Sequence, residues 1–193
     1  MSKVGIFGGT FDPIHLGHLI TAQSVREIRK LDKIIFIPSF VSPHKTGLKS
    51  ASPKDRLEMI KLSIEGIDFF DYSDFEVKRK KVSFTIETLK EMKRQYDNIE
   101  FIIGYDNIFQ FHTWKDPDKI FELVKIIVLK RKSSYPPPEK DKYYKAAEFV
   151  QTRGIEISAT DIRERVKNGL PINYLVTDEV RNYIYRNKLY GVK

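Results

Sequence analysis

The stretch that decides the fold of this chain is Lys3-Val-Gly-Ile-Phe-Gly-Gly-Thr-Phe-Asp-Pro-Ile-His-Leu-Gly-His18. It begins with a short apolar run, Val4 to Phe7, of residues that favour β-strands, and the run ends at Gly8-Gly9. Such a run followed by two glycines predicts a buried strand that ends in a tight turn. Pro13 and the apolar spacing that starts at Leu16 predict that a helix follows this turn.

The turn and the helix start have the features of a phosphate site. Gly8 and Gly9 lack Cβ atoms, so backbone N–H groups can turn toward a bound anion, and Thr10 adds a hydroxyl. His15 and His18 share one face of the first helical turn, where N–H groups and the helix dipole favour an anion. This arrangement suits a polyphosphate whose charge shifts during phosphoryl or nucleotidyl transfer. The same histidine pair could instead ligate zinc, but the chain has no cysteine and no third nitrogen ligand close in sequence.

The composition is typical of a globular protein. With 193 residues, 41% apolar and 31% charged, the chain is long enough for one sizeable core, and we expect a single domain over residues 1–193. No apolar run approaches the roughly 20 residues of a membrane span and no signal-peptide pattern is seen, which predicts a cytoplasmic protein. The absence of cysteine excludes disulfides and thiolate catalysis. The net charge of +8 raises nucleic-acid binding as a second class of function, although a polyphosphate substrate accounts for part of it.

The order of the predicted elements indicates an α/β fold. A helix over about residues 16–30 separates the first strand from a second continuous apolar strand at 34–37. This βαβ pattern predicts a Rossmann-like, doubly wound sheet that is mostly parallel. Further strands are predicted at about 69–70, 75–77, 99–103, 124–129 and 155–157, and further helices at about 52–64, 86–94, 108–111, 142–150, 158–168 and 178–190.

Two loops at the carboxyl edge of the predicted sheet carry further polar residues. The loop after the second strand contains Pro43-His44-Lys45 and leaves the sheet beside the end of the first strand, where ligands bind in open parallel sheets. The predicted strand over 99–103 ends at Gly104, which lets a base or ribose approach the backbone. Asp106 can accept a hydrogen bond from either group.

Two helix starts and one aromatic residue complete the set of candidates. Thr85 is predicted as the N-cap of a helix whose first amides can receive a carboxylate. Ser158 or Thr160 caps a late helix, and Arg163 stands one turn into it with a guanidinium suited to phosphate oxygens. Trp114, the only tryptophan, offers an aromatic face to a planar ring.

The motif from Gly8 to His18 resembles the GxFxPxHxGH signature of the nucleotidyltransferase superfamily, and its longer form with GGTFDP resembles bacterial nicotinate-nucleotide adenylyltransferases. Tyr105 and Ala159 depart from the alanine and serine that are usual in this family. Tyr105 bears on the width of the pocket beside Gly104. The other landmarks of the family follow in the same order, and they are Pro43-His44-Lys45, the segment Phe84 to Leu89, Gly104-Tyr105-Asp106, Trp114 and the segment Ile157 to Arg163.

The resemblance implies adenylyl transfer from ATP to nicotinate mononucleotide, giving deamido-NAD and pyrophosphate in NAD biosynthesis. It implies a fold of the nucleotidyltransferase type, with Mg²⁺ carried by the ATP phosphates and no metal held by the protein. The catalytic residues would be His15, His18, Lys45 and Arg163. The ATP-binding residues would be Gly8, Gly9, Thr10, Phe11, His15, His18, Gly104, Asp106, Ser158, Thr160 and Arg163. The nicotinate mononucleotide-binding residues would be Gly8, Thr10, Lys45, Thr85, Trp114 and Arg131.

Three alternatives stay open: one within the same superfamily, one from another class of enzyme and one that is not an enzyme. Phosphopantetheine adenylyltransferases and cytidylyltransferases share the HxGH motif, but they lack the set of GGTFDP, Thr85 and Trp114. A nicotinamide-dependent dehydrogenase would need a GxGxxG spacing that Gly5 to Gly9 does not supply. The hypothesis of a basic nucleic-acid-binding domain is supported only by the net positive charge. We expect small-molecule substrates and neither nucleic acid nor membrane as a partner. A homo-oligomer is compatible with the sequence. The sequence does not decide whether the acceptor is nicotinate or nicotinamide mononucleotide.

Overall fold

The computed structural model describes residues 2–41, 51–130 and 141–192, so the predicted ligands Lys45 and Arg131 lie outside the described residues. No helix in these three ranges is long and apolar enough to cross a bilayer. In the same ranges the strands are β1 (Lys3–Gly9), β2 (Lys33–Pro38), β3 (Phe70–Tyr72), β4 (Asn98–Gly104), β5 (Lys125–Lys130) and β6 (Glu148–Gln151). The α-helices are α1 (Leu16–Arg29), α2 (Pro53–Ile64), α3 (Phe75–Arg79), α4 (Thr85–Met92), α5 (Tyr105–Phe109), α6 (Pro117–Leu123), α7 (Lys142–Ala146), α8 (Ala159–Lys167) and α9 (Asp178–Arg186).

The six strands form one sheet in the order β3-β2-β1-β4-β5-β6, and every pair of neighbours is parallel. The predicted doubly wound α/β sheet is therefore confirmed, and its described strands are all parallel rather than mostly so. The strand order reverses direction at β1, between β2 and β4. In an open parallel sheet this switch point leaves a crevice at the carboxyl ends of the strands, where ligands bind. Gly9, paired with Pro38, lies at that end of β1.

The helices cover both faces of the sheet, so the central strands bury apolar residues on both faces. Alternate residues of β1 point to opposite faces, and Ile6 and Phe7 belong to different hydrophobic clusters. Phe7 packs in the cluster formed with α1, α2, α8 and α9, whereas Ile6 packs in the cluster formed with α4, α5 and α6. Burying one such side chain contributes roughly 1.5–3 kcal/mol, which makes these two clusters the main source of stability.

Three of the predicted elements are wrong. The predicted strand over 75–77 is the helix α3, because the backbone N–H of Lys78 donates to the carbonyl of Asp74 at 2.8 Å and Glu76 turns into the protein. The predicted helix over 142–150 ends early at α7, and the chain then forms β6, whose buried Val150 pairs with Leu129 at the sheet edge. The predicted strand over 155–157 is irregular. At α3 the buried Glu76 accepts a hydrogen bond from Thr88 of α4, and β6 pairs with β5, so in these two places a contact from a distant segment outweighs the local pattern.

A buried ion cluster lies at the amino-terminal ends of β1, β4 and β6, which is the end of the sheet away from the crevice. Glu100 in β4 has no exposed surface, and it accepts hydrogen bonds from Arg29 Nε and Nη2, each at 2.8 Å. Lys3 Nζ lies 2.9 Å from the same carboxylate, and Arg29 also pairs with Glu148 at 2.7 Å. Burial raises the pKa of Glu100, but the hydrogen bonds from Arg29 and Lys3 together outweigh it and leave the pKa below its ordinary value.

We expect the substitution Glu100→Gln to lower the free energy of unfolding at pH 7 by about 2–3 kcal/mol, since it leaves Arg29 and Lys3 without their buried counter-ion. Glu148→Gln is the matched control, because Glu148 binds the same arginine but is half-exposed, and it should cost less than about 1 kcal/mol. Because the pKa of Glu100 is lowered in the folded state, its contribution is present above the unfolded pKa of about 4.3 and disappears as pH falls through the folded pKa.

Urea unfolding of both variants and of the parent chain between pH 3 and 7 measures this. The difference between the parent chain and the Glu100 variant should shrink at the acid end. A difference that stays constant over this range would show that lost packing, and not the ion cluster, causes the destabilisation.

Candidate active site

The turn after β1 is shaped by a close contact between a glycine and a phenylalanine. Phe11 has a φ of +50°, and its buried ring lies against Phe7 and Phe36, with centroids 5.7 Å from each. A Cβ on Gly9 would stand 2.9 Å from this ring, so only glycine fits there. Because the side chain of Phe11 is buried, the contact that this residue can offer a ligand is through its backbone.

The two motif histidines form one unit at the start of α1. His15 is the N-cap residue, and its backbone N–H donates to Nδ1 of His18 at 3.3 Å. The two rings stack with centroids 3.6 Å apart. Since Nδ1 of His18 accepts a hydrogen bond, a neutral His18 carries its proton on Nε2 and can donate from there. Gly17 makes the stacking possible, because a Cβ at that position would lie 3.0 Å from Nδ1 of His15.

The late motif is brought against the early one. Ser158 is the N-cap of α8, and its hydroxyl accepts the backbone N–H of Asp161 at 3.1 Å. Of the two predicted capping residues, Ser158 is thus the cap, while the hydroxyl of Thr160 accepts from Nη2 of Arg163 at 3.1 Å. Nη1 of Arg163 donates to the backbone carbonyl of Asp12 at 2.8 Å. The guanidinium therefore lies beside the turn that precedes the histidines.

Arg56 also binds the main chain of this turn. It is buried, and it donates to the backbone carbonyls of Thr10 at 2.6 Å, Phe40 at 3.1 Å and Ala51 at 3.3 Å. Burial lowers the pKa of Arg56, and the charge of Asp12 opposes this. All three acceptors are main-chain oxygens, so Arg56 anchors the loops and is not placed to bind a ligand.

A cavity of about 410 Å³ opens on the other side of the glycine turn. It contains five of the predicted ligand residues, which are Gly8, Gly9, Thr10, Thr85 and Trp114. Its remaining polar lining includes Ser39, Glu76, Ser83, Thr88, Asn107, Gln110, Thr113 and Lys115. The sequence reading missed these residues, since they come from five separate segments of the chain.

The start of α4 differs from the prediction. Phe84, in extended backbone, is the N-cap, and Thr85 is the first residue of the helix rather than its cap. The carbonyl of Phe84 accepts the N–H groups of Glu87 at 3.0 Å and Thr88 at 3.3 Å. The N–H groups of Thr85 and Ile86 precede this ladder and have no acceptor within the helix. Without a side-chain cap, the helix start is more open to a ligand anion than the predicted cap would have left it.

The charges around this helix start favour an anion. Glu87 is engaged by two cations, Arg79 at 2.6 Å and Lys115 at 2.9 Å. The buried Glu76 accepts a hydrogen bond from the hydroxyl of Thr88 at 2.5 Å. Burial raises the pKa of Glu76, and the hydrogen bonds from Ser83 and Thr88 offset only part of this rise. The pairing of Glu87 with two cations leaves an excess of positive charge at this helix start.

Trp114 closes one side of the cavity. Its ring stacks on Phe111, with centroids 4.7 Å apart and planes 25° apart, and it meets the edge of Phe101 at 6.2 Å. Phe111 is fully buried, so it holds the indole in one orientation. The ring is thus a fixed wall of the cavity, and its stacking on a ligand stays a prediction.

Two further predicted residues, Gly104 and Asp106, lie at the end of β4 but do not line the cavity, whose wall there includes Ile103 and Asn107. Gly104 is the N-cap of α5, and Asp106 is exposed in the first turn of that helix. Tyr105, which departs from the usual alanine, is buried against Phe109 at 4.9 Å and Phe149 at 6.3 Å. Its side chain does not line the cavity, and its effect on the space beside Gly104 stays a prediction.

Comparison with known proteins agrees with this geometry. The model of the family described as cytidylyltransferase-like matches residues 6–165. A protein of Caldicellulosiruptor saccharolyticus named "Probable nicotinate-nucleotide adenylyltransferase" is 41% identical over 194 residues, with 97% of this chain and 98% of that protein covered. A protein of the same name from Methylacidiphilum infernorum is 43% identical over 190 residues, with 97% and 92% covered.

The fold also matches a solved structure. The Plasmodium falciparum nicotinic acid mononucleotide adenylyltransferase complexed with NaAD superposes with a TM-score of 0.79 at 19% identity, over 100% of this chain and 99% of that one. This likeness shows the fold. The family model and the sequence matches, which cover nearly the whole chain, show that the chain belongs to the cytidylyltransferase-like nucleotidyltransferases and, within them, to the nicotinate-nucleotide adenylyltransferase family.

Proposed function

We propose that this protein transfers the adenylyl group of ATP to the 5′-phosphate of nicotinate mononucleotide, forming deamido-NAD and releasing pyrophosphate. One observation carries the proposal. A single cavity joins the glycine turn after β1, the uncapped start of α4 and the face of Trp114. These three features match the phosphate, the carboxylate and the planar ring of one acceptor molecule.

The acceptor's pyridine end fits the wall formed by α4 and Trp114. The indole stacks on the aromatic ring, and the N–H groups of Thr85 and Ile86 bind the carboxylate with the help of the helix dipole. Lys115 lies at the same wall and adds positive charge. This environment prefers nicotinate to nicotinamide, since the neutral amide gains less from N–H donors and from the dipole.

The phosphate groups fit the donors around the glycine turn. The amides from Gly8 to Phe11, with Thr10, hold the acceptor phosphate, and Arg163 binds the phosphates of ATP from α8. Gly104, Asp106, Ser158 and Thr160 lie on the side that would receive the adenosine. Lys45 and Arg131, by their place in the sequence, would add two cations.

The reaction is an in-line displacement. An oxygen of the acceptor's 5′-phosphate attacks the α-phosphorus of ATP, and the bond from that phosphorus to the bridging oxygen of pyrophosphate breaks. His15 and His18 stabilise the charge that develops on the transferring and leaving phosphates. No covalent intermediate on the protein is needed, since the side chains position the two substrates and supply charge.

MgATP is the substrate form that suits these residues. The donors gathered here are imidazoles, a guanidinium, hydroxyls and amides, which bind phosphate oxygens. Within residues 2–41, 51–130 and 141–192, no group of three or more His, Asp or Glu side chains is placed to hold a metal ion. Mg²⁺ usually keeps several waters and binds substrate phosphates, so it enters with ATP.

The acceptor assay tests the function directly. We expect pyrophosphate release with MgATP and nicotinate mononucleotide, and much slower release with nicotinamide mononucleotide or phosphopantetheine at equal concentration. Equal use of both pyridine nucleotides would contradict the amide-lined carboxylate pocket. Turnover with phosphopantetheine alone would contradict the proposed acceptor.

His18→Ala should lower kcat by roughly 10²–10³ if the imidazole stabilises the transition state as an oxyanion-hole donor does. His112→Ala is the matched control, because His112 is exposed on the short 3₁₀ turn before Trp114 and does not line the cavity. Steady-state kinetics of both variants measures this. An unchanged kcat for His18→Ala would remove His18 from the catalytic set.

Gly17→Ala should impair activity more than stability. The added Cβ would press on the ring of His15 at 3.0 Å, and a displacement of a catalytic group by a fraction of an ångström to 1 Å can cost about tenfold to a hundredfold in rate. Gly154→Ala is the control, because a Cβ there meets nothing within 4 Å. Kinetics and thermal unfolding are compared for both, and equal activity of the two variants would contradict a positioning role for Gly17.

A further inference from the structure

Asp12 is the motif residue whose role the proposed reaction leaves unexplained. Its carboxylate is buried, although no step of the transfer uses it. One oxygen, Oδ1, accepts the backbone N–H of Ala51 at 3.1 Å and the hydroxyl of Tyr190 at 2.8 Å. Its backbone carbonyl accepts from Arg163 at 2.8 Å, and Oδ2 lies 3.9 Å from the same Nη1. Asp12 therefore joins the arginine of the late motif to the far end of the chain.

Tyr190 reaches Asp12 from a short 3₁₀ turn, Leu189–Gly191, which follows α9. This turn packs against α8, the helix that carries Arg163, and against α9. Tyr190 has a φ of +60°, a conformation that non-glycine residues seldom adopt unless the surroundings hold them there. Burial, with the charge of Asp12, raises the pKa of Tyr190, so the phenol stays protonated and donates its hydrogen bond.

We propose that Tyr190 is a positioning residue for adenylyl transfer: its hydrogen bond to Asp12 fixes the turn to which Arg163 is bound and so sets the place of the guanidinium. This inference rests on the proposed function, because it assigns Tyr190 to the same site. The tyrosine contacts no substrate. It acts through Asp12 and, by packing of its turn on α8, through the helix that bears the arginine.

The geometry favours this role over a general contribution to stability. Asp12 lies directly between the glycine turn and the two histidines, and its main chain is bonded to Arg163. If the carboxylate of Asp12 lost its hydrogen bond from Tyr190, the phosphate-binding groups would therefore shift relative to one another. The loss of a tyrosine hydroxyl on α9 would leave that geometry intact.

The chain provides a matched control for the loss of one tyrosine hydroxyl. Tyr183 on α9 donates to Oδ1 of Asp55 at 2.9 Å, and burial together with this bond raises the pKa of Tyr183 to about 12. Asp55 lies in the first turn of α2 and has no bond to Arg163 or Asp12 among the described contacts. Tyr183→Phe and Tyr190→Phe thus each remove one hydroxyl that donates to a carboxylate.

Steady-state kinetics with MgATP and nicotinate mononucleotide, together with thermal unfolding, compares the two variants. Tyr190→Phe should lower kcat by about tenfold, the size expected for one hydrogen bond to a charged group, and Tyr183→Phe by less than about twofold. Both should lower the melting temperature by a similar few degrees. Equal loss of activity in the two variants, or no loss in Tyr190→Phe, would overturn the proposal.

A double-mutant cycle with Arg163→Lys asks whether Tyr190 acts through the arginine. If it does, adding Tyr190→Phe to Arg163→Lys should change kcat by less than about twofold, because the group that Tyr190 positions is already altered. Additive losses would mean that Tyr190 acts by another route and would overturn the assignment. A parent chain that makes no deamido-NAD would refute the proposed function itself, and that outcome is seen before any variant is made.

Discussion

The central place of β1 in the sheet governs where the rest of the site can lie. Because β1 pairs with β2 on one side and β4 on the other, the loops that leave these strands diverge, and the glycine turn lies at the bottom of the crevice between them. The turn has little freedom. The ring of Phe11 fills the space over Gly9, and Arg56 and Arg163 donate hydrogen bonds to the main-chain oxygens of Thr10 and Asp12. Two helices far apart in the chain, α2 and α8, are thereby held to one short segment.

This turn divides the site into two parts with different chemistry. On one side lies a cavity with an aromatic wall and an uncapped helix start, which suits a planar molecule that carries a carboxylate. On the other side lie the stacked histidines and Arg163, which suit phosphates. The turn belongs to both parts, so a phosphate bound there would be within reach of groups from each. A transfer between two phosphorylated substrates needs this kind of shared boundary.

The carboxylates near the site are kept from competing with an anionic ligand. Glu87 is paired with Arg79 and Lys115, and Asp12 accepts hydrogen bonds from Ala51 and Tyr190. Glu76 is buried, accepts a hydrogen bond from Thr88 and has a raised pKa. A polyphosphate substrate accounts for part of the net charge of +8.

The sequence by itself determined the class of fold, the central strands and the two motifs, because each depends on residues that are close together in the chain. Apolar runs and glycines predicted β1, β2, β4 and β5, and the i, i+3 spacing of His15 and His18 predicted that these two residues share one face. The tertiary structure alone decided that the segment after Asp74 is a helix, that β6 is the edge strand, and that Phe84 rather than Thr85 caps α4. It alone brought Glu76 to the cavity and Tyr190 to Asp12. These features depend on packing and hydrogen bonds between distant segments. Local periodicity and propensity do not indicate which distant segments will contact each other.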